Sequence, residues 1–122
     1  MWNIEFEDAF ELEFLAFDPQ VQEALLAVAK LLANYGPQLG RPYADTLKGS
    51  KHANMKELRF TAKGGVWRAA FAFDPLRQAV VLVAGDKSSG NQKRFYQQLI
   101  ATADRRFSDH LKRLKMATKK EK

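Results

Sequence analysis

Three short apolar runs in the middle of the chain constrain its fold more than any other feature. The runs span residues 55–60, 66–73 and 79–84. The segments between them, 63–65 and 74–77, read Lys-Gly-Gly and Asp-Pro-Leu-Arg. Glycine pairs and Asp-Pro steps at such places are typical of tight turns between antiparallel strands. The three runs are therefore predicted to form an antiparallel meander.

Helical periodicity lies on both sides of this meander. Residues 2–6 alternate apolar and polar side chains, as a half-buried strand does, and residues 10–35 then repeat apolar side chains every three or four positions. An Asp-Pro pair at 18–19 supplies a helix start inside that stretch. A last helical repeat begins at residue 91 and lasts about 25 residues. We predict an α+β fold: an N-terminal strand, a two-helix hairpin, the meander completing a four-stranded sheet, and a long C-terminal helix.

The size and composition of the chain limit what else it can contain. Its 122 residues have room for one core, so residues 1–116 are predicted to form a single domain, with residues 117–122 as a disordered basic tail. There is no cysteine, and the two histidines are far apart, so we expect no disulfide, metal or cofactor. The N-terminus lacks the unbroken apolar run of a signal peptide. We expect a soluble, cytoplasmic protein without membrane contact.

Charge is distributed unevenly along the chain. The net charge is +6, yet residues 1–18 carry six acidic residues and no basic one. Residues 86–122, by contrast, carry eleven lysines and arginines against four acidic residues. A basic region of this kind is typical of proteins that bind polyanions such as nucleic acids, although a solvated surface is the commoner explanation of a charge run on its own.

Strand alternation places several charged side chains on one face of the predicted sheet. Leu58 points to one face, and Glu57 and Arg59 point to the other. In the next strand Arg68 shares its face with two alanines, which favours an open floor rather than a packed layer. Lys87 follows the third strand. If the helical hairpin covers the apolar face, these residues form a concave basic surface on the side left bare.

Such a surface has the chemistry to bind and cleave a phosphodiester. Guanidinium groups pair with phosphate oxygens through two hydrogen bonds and stay charged at any working pH. Cleavage of RNA without a metal needs a base for the 2′-hydroxyl and an acid for the leaving oxygen. Candidates for these roles are Glu57, His52, Lys87 and Tyr96, of which lysine or tyrosine would need a lowered pKa to act as base. An ordinary ion pair between Glu57 and an arginine explains the same residues as well.

An ordered set of short motifs carries a resemblance to a known family. The motifs are Gly36-Pro37-x-Leu39-Gly40-Arg41-Pro42, Asp45-Thr46-Leu47-x-Gly49-Ser50, Asn54-Met55-Lys56-Glu57-Leu58-Arg59, Trp67-Arg68, Phe71-Ala72-Phe73-Asp74-Pro75, Gly85-Asp86-Lys87, Ala103-Asp104 and His110-Leu111. Together they resemble the HigB branch of the RelE/ParE superfamily of toxins, a branch that includes phage Gp49-like proteins. The resemblance covers nearly the whole chain.

The resemblance implies a function and a site. It implies the toxin of a type II toxin–antitoxin system, a metal-independent endonuclease that cuts mRNA in the ribosomal A site and so inhibits translation. Arg59, Arg68, Lys87 and Tyr96 match the positions of catalytic residues in this superfamily. Glu57 stands where RelE itself typically has lysine, so it is assigned as the base or as a residue that orients Arg68. Contact with RNA or the ribosome is assigned to Lys48, Lys51, His52, Lys56, Lys93 and Arg94.

The same resemblance implies partners and leaves two alternatives. The expected partners are mRNA, the ribosome and a helix-turn-helix antitoxin, with operator DNA reached only through that antitoxin. One alternative is a ParE-like toxin that inhibits DNA gyrase by binding, without cleavage. The other is a catalytically inactive module that binds an antitoxin.

Overall fold

The computed structural model describes residues 1–88 and 90–120 and confirms the predicted α+β architecture. The elements are β1 (Asn3–Phe6), α1 (Asp8–Leu15), α2 (Pro19–Tyr35), a 3-10 turn (Gly36–Gln38), β2 (Ala44–Thr46), β3 (Lys56–Ala62), β4 (Gly65–Phe73), β5 (Gln78–Asp86) and α3 (Gln92–Lys120). The sheet order is β1-β5-β4-β3-β2, with β1 parallel to β5 and the other pairs antiparallel. Within the described ranges no helix is both long and apolar enough to cross a membrane.

The sheet has five strands rather than the predicted four. The added strand is β2, which pairs with the start of β3, Ala44 opposite Leu58. With only three residues, β2 is too short to show the alternation by which strands are recognised in a sequence. Burial of Ala44 and Leu47 holds this segment against the sheet edge.

At the C-terminal end, α3 continues through residues 117–120, which were predicted to be a disordered tail. Residues 121 and 122 of that predicted tail lie outside the described residues.

The second helix of the hairpin, α2, begins at the Asp-Pro pair, as the sequence predicts. The Asp18 side chain accepts a hydrogen bond from the Gln20 backbone N–H at 2.9 Å, and Pro19 is the first residue of α2. The helix ends at Gly36, whose φ of 57° lies in the left-handed region that favours glycine. The Trp2 indole packs where a Cβ at this position would stand, so glycine also allows the N-terminal segment to approach the helix end.

Helices cover both faces of the sheet, so the prediction of a bare face is wrong. The hairpin packs on one face, where its core includes Phe10, Leu25 and Leu32. On the opposite face α3 packs Leu99, Ala103 and Phe107 against β4 and β5. Ala70 and Ala72 are the two alanines that were expected to line an open surface beside Arg68. Both are fully buried beneath α3. Their small side chains allow a helix to approach the sheet closely.

Arg106 of α3 links the three layers at a bulge in β5. The bulge lies where Ala70 pairs with Val83 and Phe71 with Val81, which leaves Leu82 between them. Arg106 donates to the Leu82 carbonyl at 2.8 Å. It also forms an ion pair with Glu13 of α1 at 2.6 Å and lies 3.8 Å from the carboxylate of buried Glu7. The side chain is only 13% exposed.

We expect Arg106→Met to lower the free energy of unfolding by about 2 kcal/mol. Most of the loss comes from the hydrogen bond to the Leu82 carbonyl and from leaving the Glu7 carboxylate without a cation. The Glu13 pair contributes under about 1 kcal/mol because Glu13 is 44% exposed and screened by water. Chemical denaturation measures the change. Arg105→Met, at the exposed neighbouring position, is the matched control, and equal stability of the two variants would contradict the assigned role.

Candidate functional site

Four chain segments bring charged side chains together on the sheet near the start of α3. β3 supplies Glu57 and Arg59, β4 supplies Arg68, and the residue after β5 is Lys87. The fourth segment, the first turns of α3, supplies Tyr96. The structure thus places all five predicted catalytic residues on the same side of the sheet, and we call them the Glu57 cluster.

Strand register explains why the two arginines meet. Arg59 and Arg68 are directly opposite each other in the antiparallel pair of β3 and β4, so both side chains project to the same face. Leu58 and Phe60 project to the other face and pack against the hairpin. Two like charges directly opposite each other destabilise a sheet. This pair therefore needs a counter-ion within the fold, and Glu57 provides it.

The Glu57 carboxylate lies at the centre of the cluster. One oxygen, Oε2, is 3.3 Å from a terminal nitrogen of Arg59, and the other, Oε1, is 3.8 Å from Nε of Arg68. The Tyr96 hydroxyl donates to Oε1 at 3.1 Å. The side chain of Glu57 is only 6% exposed. With three cations, Arg59, Arg68 and Lys87, around one carboxylate, the cluster keeps an excess of positive charge.

Arg68 is buried but not fully satisfied. Its side chain is 6% exposed, and one terminal nitrogen donates to the Trp67 carbonyl at 2.9 Å. At 3.8 Å the Glu57 oxygen attracts the Nε group but is too distant for a hydrogen bond. Among the described residues, none accepts a hydrogen bond from Arg68 Nε. Because leaving a buried donor unsatisfied costs about 1–3 kcal/mol, this N–H favours an incoming anionic oxygen.

The pKa of Lys87 lies below the ordinary value for lysine, and that of Tyr96 lies above the ordinary value for tyrosine. Burial, followed by the charges of Arg68 and Arg59, lowers the pKa of Lys87, while Glu57 opposes this. Burial and the Glu57 charge raise the pKa of Tyr96, only partly offset by Arg68. A raised pKa favours the protonated phenol, which donates its hydrogen bond to Glu57. Lys87, whose Nζ lies 5.8 Å from the centre of the Tyr96 ring, loses its proton more readily than an ordinary lysine.

Glycine allows the start of α3 to lie close to the sheet. Gly85 pairs with Arg68 across β4 and β5, and the Phe95 ring packs directly over it. A Cβ at Gly85 would stand 2.9 Å from the Phe95 ring. With Phe95 in this position, the next residue, Tyr96, reaches Glu57.

The structure does not place all six residues assigned to RNA or ribosome contact on one surface. Lys93 and Arg94 are exposed on the first turn of α3, and Lys93 lines a groove with Tyr96 and Gly49. Lys48 and Lys51 are exposed on the loop that forms the other wall of this groove. Lys56 does not join them, because strand alternation directs it to the face opposite Glu57.

His52 is engaged in holding the loop rather than in the Glu57 cluster. Its Nε2 lies 3.0 Å from the Ser108 hydroxyl, and its ring packs edge-on against Phe107. Asp104 of α3 accepts hydrogen bonds from the Ser50 hydroxyl and from the Lys51 backbone N–H at 3.1 Å. Asp104 and Ser108 were not recognised as functional from the sequence. The Ala103-Asp104 motif was the available signal for Asp104.

No group of three or more histidine and acidic side chains that would hold a metal is found within residues 1–88 and 90–120. The Glu57 cluster itself offers guanidinium, ammonium, phenol and carboxylate groups. These groups can bind an anionic oxygen, accept a proton and donate one.

Comparison with known proteins gives one family and two curated relatives. Residues 12–108 match the family described as Phage derived protein Gp49-like (DUF891). The chain is 44% identical to a candidate toxin of Mycobacterium tuberculosis named HigB2 over 77% of its own length, and it spans about half of that protein, 47%. It is 43% identical to a second candidate toxin of that organism, HigB3, over 80% of this chain and 83% of HigB3. No solved structure matches the chain.

Proposed function

The chain belongs to the Gp49-like family of HigB-like proteins, and from this premise we propose that it is the toxin of a toxin–antitoxin pair and cleaves mRNA. The finer proposal is a ribosome-dependent endoribonuclease that works without a metal ion and stops translation. One observation carries it: two opposed arginines and a lysine surround one buried carboxylate, and Arg68 retains a buried N–H for which the described part of the chain offers no acceptor.

A phosphodiester fits this cluster because it supplies what the cluster lacks. Its anionic oxygens would satisfy Arg68 Nε and reduce the repulsion between Arg59 and Arg68. Charge on these oxygens grows as the phosphorus becomes five-coordinate, so cations already fixed by the sheet stabilise the transition state more than the bound substrate. Arg59, at 25% exposure, is the more accessible of the two arginines and would meet the phosphate first.

The proton transfers are assigned to Glu57 and Lys87. Glu57 accepts the proton of the RNA 2′-hydroxyl, whose oxygen attacks the adjacent phosphorus and forms a cyclic phosphate. The bond to the 5′-oxygen breaks, and that oxygen takes a proton from the Lys87 ammonium, whose pKa is lowered. Tyr96 keeps its proton because its pKa is raised, and it holds the carboxylate through the hydrogen bond to Oε1.

The exposed lysines near the cluster are proposed to hold the RNA or the ribosome. Lys48, Lys51, Lys93 and Arg94 stand on the two sides of the groove beside Tyr96. Phosphate contacts of this kind position a nucleic acid without reading its sequence. A helix-turn-helix antitoxin is the proposed neutralising partner, and any contact with operator DNA would pass through it.

Induced expression in a host that lacks the antitoxin tests the proposed function. We expect growth arrest, and mapping of transcript 5′ ends should show new cuts within translated regions. Growth arrest with gyrase-dependent DNA damage and intact transcripts would replace this proposal with gyrase inhibition. Normal growth at full expression would replace it with an inactive binding module.

A further inference from the structure

An apolar groove lies at the far end of α3 from the Glu57 cluster. Its walls are Pro75 and Leu76 of the β4–β5 turn on one side and Leu111 and Leu114 of α3 on the other. The groove has a volume of about 670 Å³, and Leu76 is 63% exposed. A contiguous apolar surface with a polar rim is typical of an interaction site.

The groove is held in shape by the residues beneath it. Asp74 accepts hydrogen bonds from the Leu76 and Gln78 backbone N–H groups at 2.9 and 3.0 Å. The same carboxylate lies 2.8 Å from Nε2 of His110, which fixes the turn to α3. Both walls are therefore tied together before any partner arrives, and a partner does not have to order them.

The charge around the groove indicates the chemistry of its occupant. Lys112 and Lys115 line the groove beside the leucines and are exposed. An apolar floor with a basic rim fits a segment that presents leucine-like side chains flanked by aspartate or glutamate. RNA would meet the lysines but would leave the leucine floor unfilled.

We propose that this groove binds an acidic amphipathic segment of the antitoxin. The inference rests on the proposed function, since it takes the antitoxin as the partner. Leu114 lies 18 residues beyond Tyr96 on the same helix, a separation of about 27 Å. A segment seated in the groove therefore anchors the antitoxin without itself filling the Glu57 cluster. Binding and cleavage then depend on different residues.

A second copy of the chain is the less suitable occupant. The exposed leucines of α1, Leu12 and Leu15, are also flanked by acidic residues. However, α1 and the groove are different surfaces, so a contact between them is head-to-tail and would extend from copy to copy unless it closed into a ring. Glu13 of α1 is, in addition, already paired with Arg106.

Variants at the rim separate neutralisation from toxicity. Leu76→Glu and the double variant Lys112→Glu/Lys115→Glu are expected to weaken binding of the antitoxin about tenfold or more. Leu26→Glu, at an exposed leucine of α2 outside the groove, is the matched control and should bind normally. The probe is the purified product of the reading frame next to this gene, titrated into the full-length chain by calorimetry. Growth arrest by the rim variants should equal that of the wild type and no longer be reversed by co-expressed antitoxin.

The outcomes distinguish the groove from the proposed function. Unchanged binding by both rim variants would overturn the groove proposal while leaving the toxin proposal intact. Absence of toxicity in the wild type would refute the toxin proposal, and the calorimetric comparison would still decide whether the groove binds the neighbouring product. A wild-type chain that dimerises alone, with Leu76→Glu monomeric, would assign the groove to a second copy and overturn the antitoxin as occupant. Hydrogen exchange should show new protection at 75–77 and 111–118 in the wild-type complex.

Discussion

Replacing Arg68 by alanine is expected to abolish growth arrest and to lower mRNA cleavage by about a hundredfold or more. Removal of one preformed donor to a developing oxyanion costs about this much in other enzymes. Arg68 holds the buried N–H that we assign to the phosphate. It also stands opposite Arg59, so the substitution leaves Arg59 as the one arginine of this pair that can contact the phosphate. Growth curves and mapped transcript ends measure the effect.

Two further variants show whether the loss is one of chemistry. Arg68→Lys keeps a cation beside the 6% exposed Glu57 but removes the planar fork, so it should stay folded and still lose most of the activity. Arg105→Ala removes a positive charge at an exposed position of α3 and should remain fully toxic. Thermal unfolding of each purified variant excludes loss of the fold as the cause. Undiminished toxicity of a folded Arg68→Ala chain would refute the site.

The sequence predicted those parts of the site that depend on the alternation of side chains along a strand. Leu58 and Arg59 lie on opposite faces as expected, because neighbouring side chains of a strand always do. Arg59 and Arg68 meet because a short turn between their strands sets the register. The start of α2 followed from Asp18 and Pro19, whose preferences at a helix start are local as well.

Contacts between segments that are far apart in the sequence could not be predicted from local alternation. Ala70 and Ala72 are as compatible with an open floor as with a closely packed helix, and only the position of α3 decides between them. The hydrogen bond from Tyr96 to Glu57 spans 39 positions, and that between Ser50 and Asp104 spans 54. No periodicity within one segment predicts such pairs. The convergence of Glu57, Arg59 and Arg68 on one face was therefore predicted from the sequence, while their burial beneath α3 was not.

The sequence contained a sign that Arg106 faces the interior of the fold. Apolar residues of α3 recur at Leu99, Ala103 and Phe107, and Arg106 lies three positions after Ala103 on the inward side of this repeat. A cation at such a position requires an acceptor inside the fold. The bulge in β5 provides it by exposing the Leu82 carbonyl, but a bulge leaves no recognisable mark in this sequence.

Asp74→Asn is expected to lower the free energy of unfolding by about 3 kcal/mol at neutral pH, the largest stability change among the substitutions considered. The Asp74 side chain is fully buried, and its Oδ2 accepts from Gln78 Nε2 at 2.9 Å and lies 2.8 Å from His110 Nε2. An amide group at this position would present its own N–H groups to two donors, or turn and lose the backbone bonds. Each charged hydrogen bond lost in this way costs about 1.5–3 kcal/mol. Asp109→Asn, at an exposed acidic position of α3, should change stability by less than about 0.5 kcal/mol.

The same substitution should change how stability depends on pH. Burial by itself would raise the pKa of Asp74, but the hydrogen bonds from His110 and Gln78 outweigh it and hold the pKa below its ordinary value. A carboxyl whose pKa is lower in the folded chain than in the unfolded chain stabilises the fold above the unfolded value, about 3.9, and loses that contribution as the pH falls toward the folded value. The difference in unfolding free energy between wild type and Asp74→Asn should therefore be constant near neutrality and shrink below about pH 4. Denaturant titrations over this range measure it, and a difference that grows on acidification would show that the folded chain holds Asp74 protonated rather than ionised.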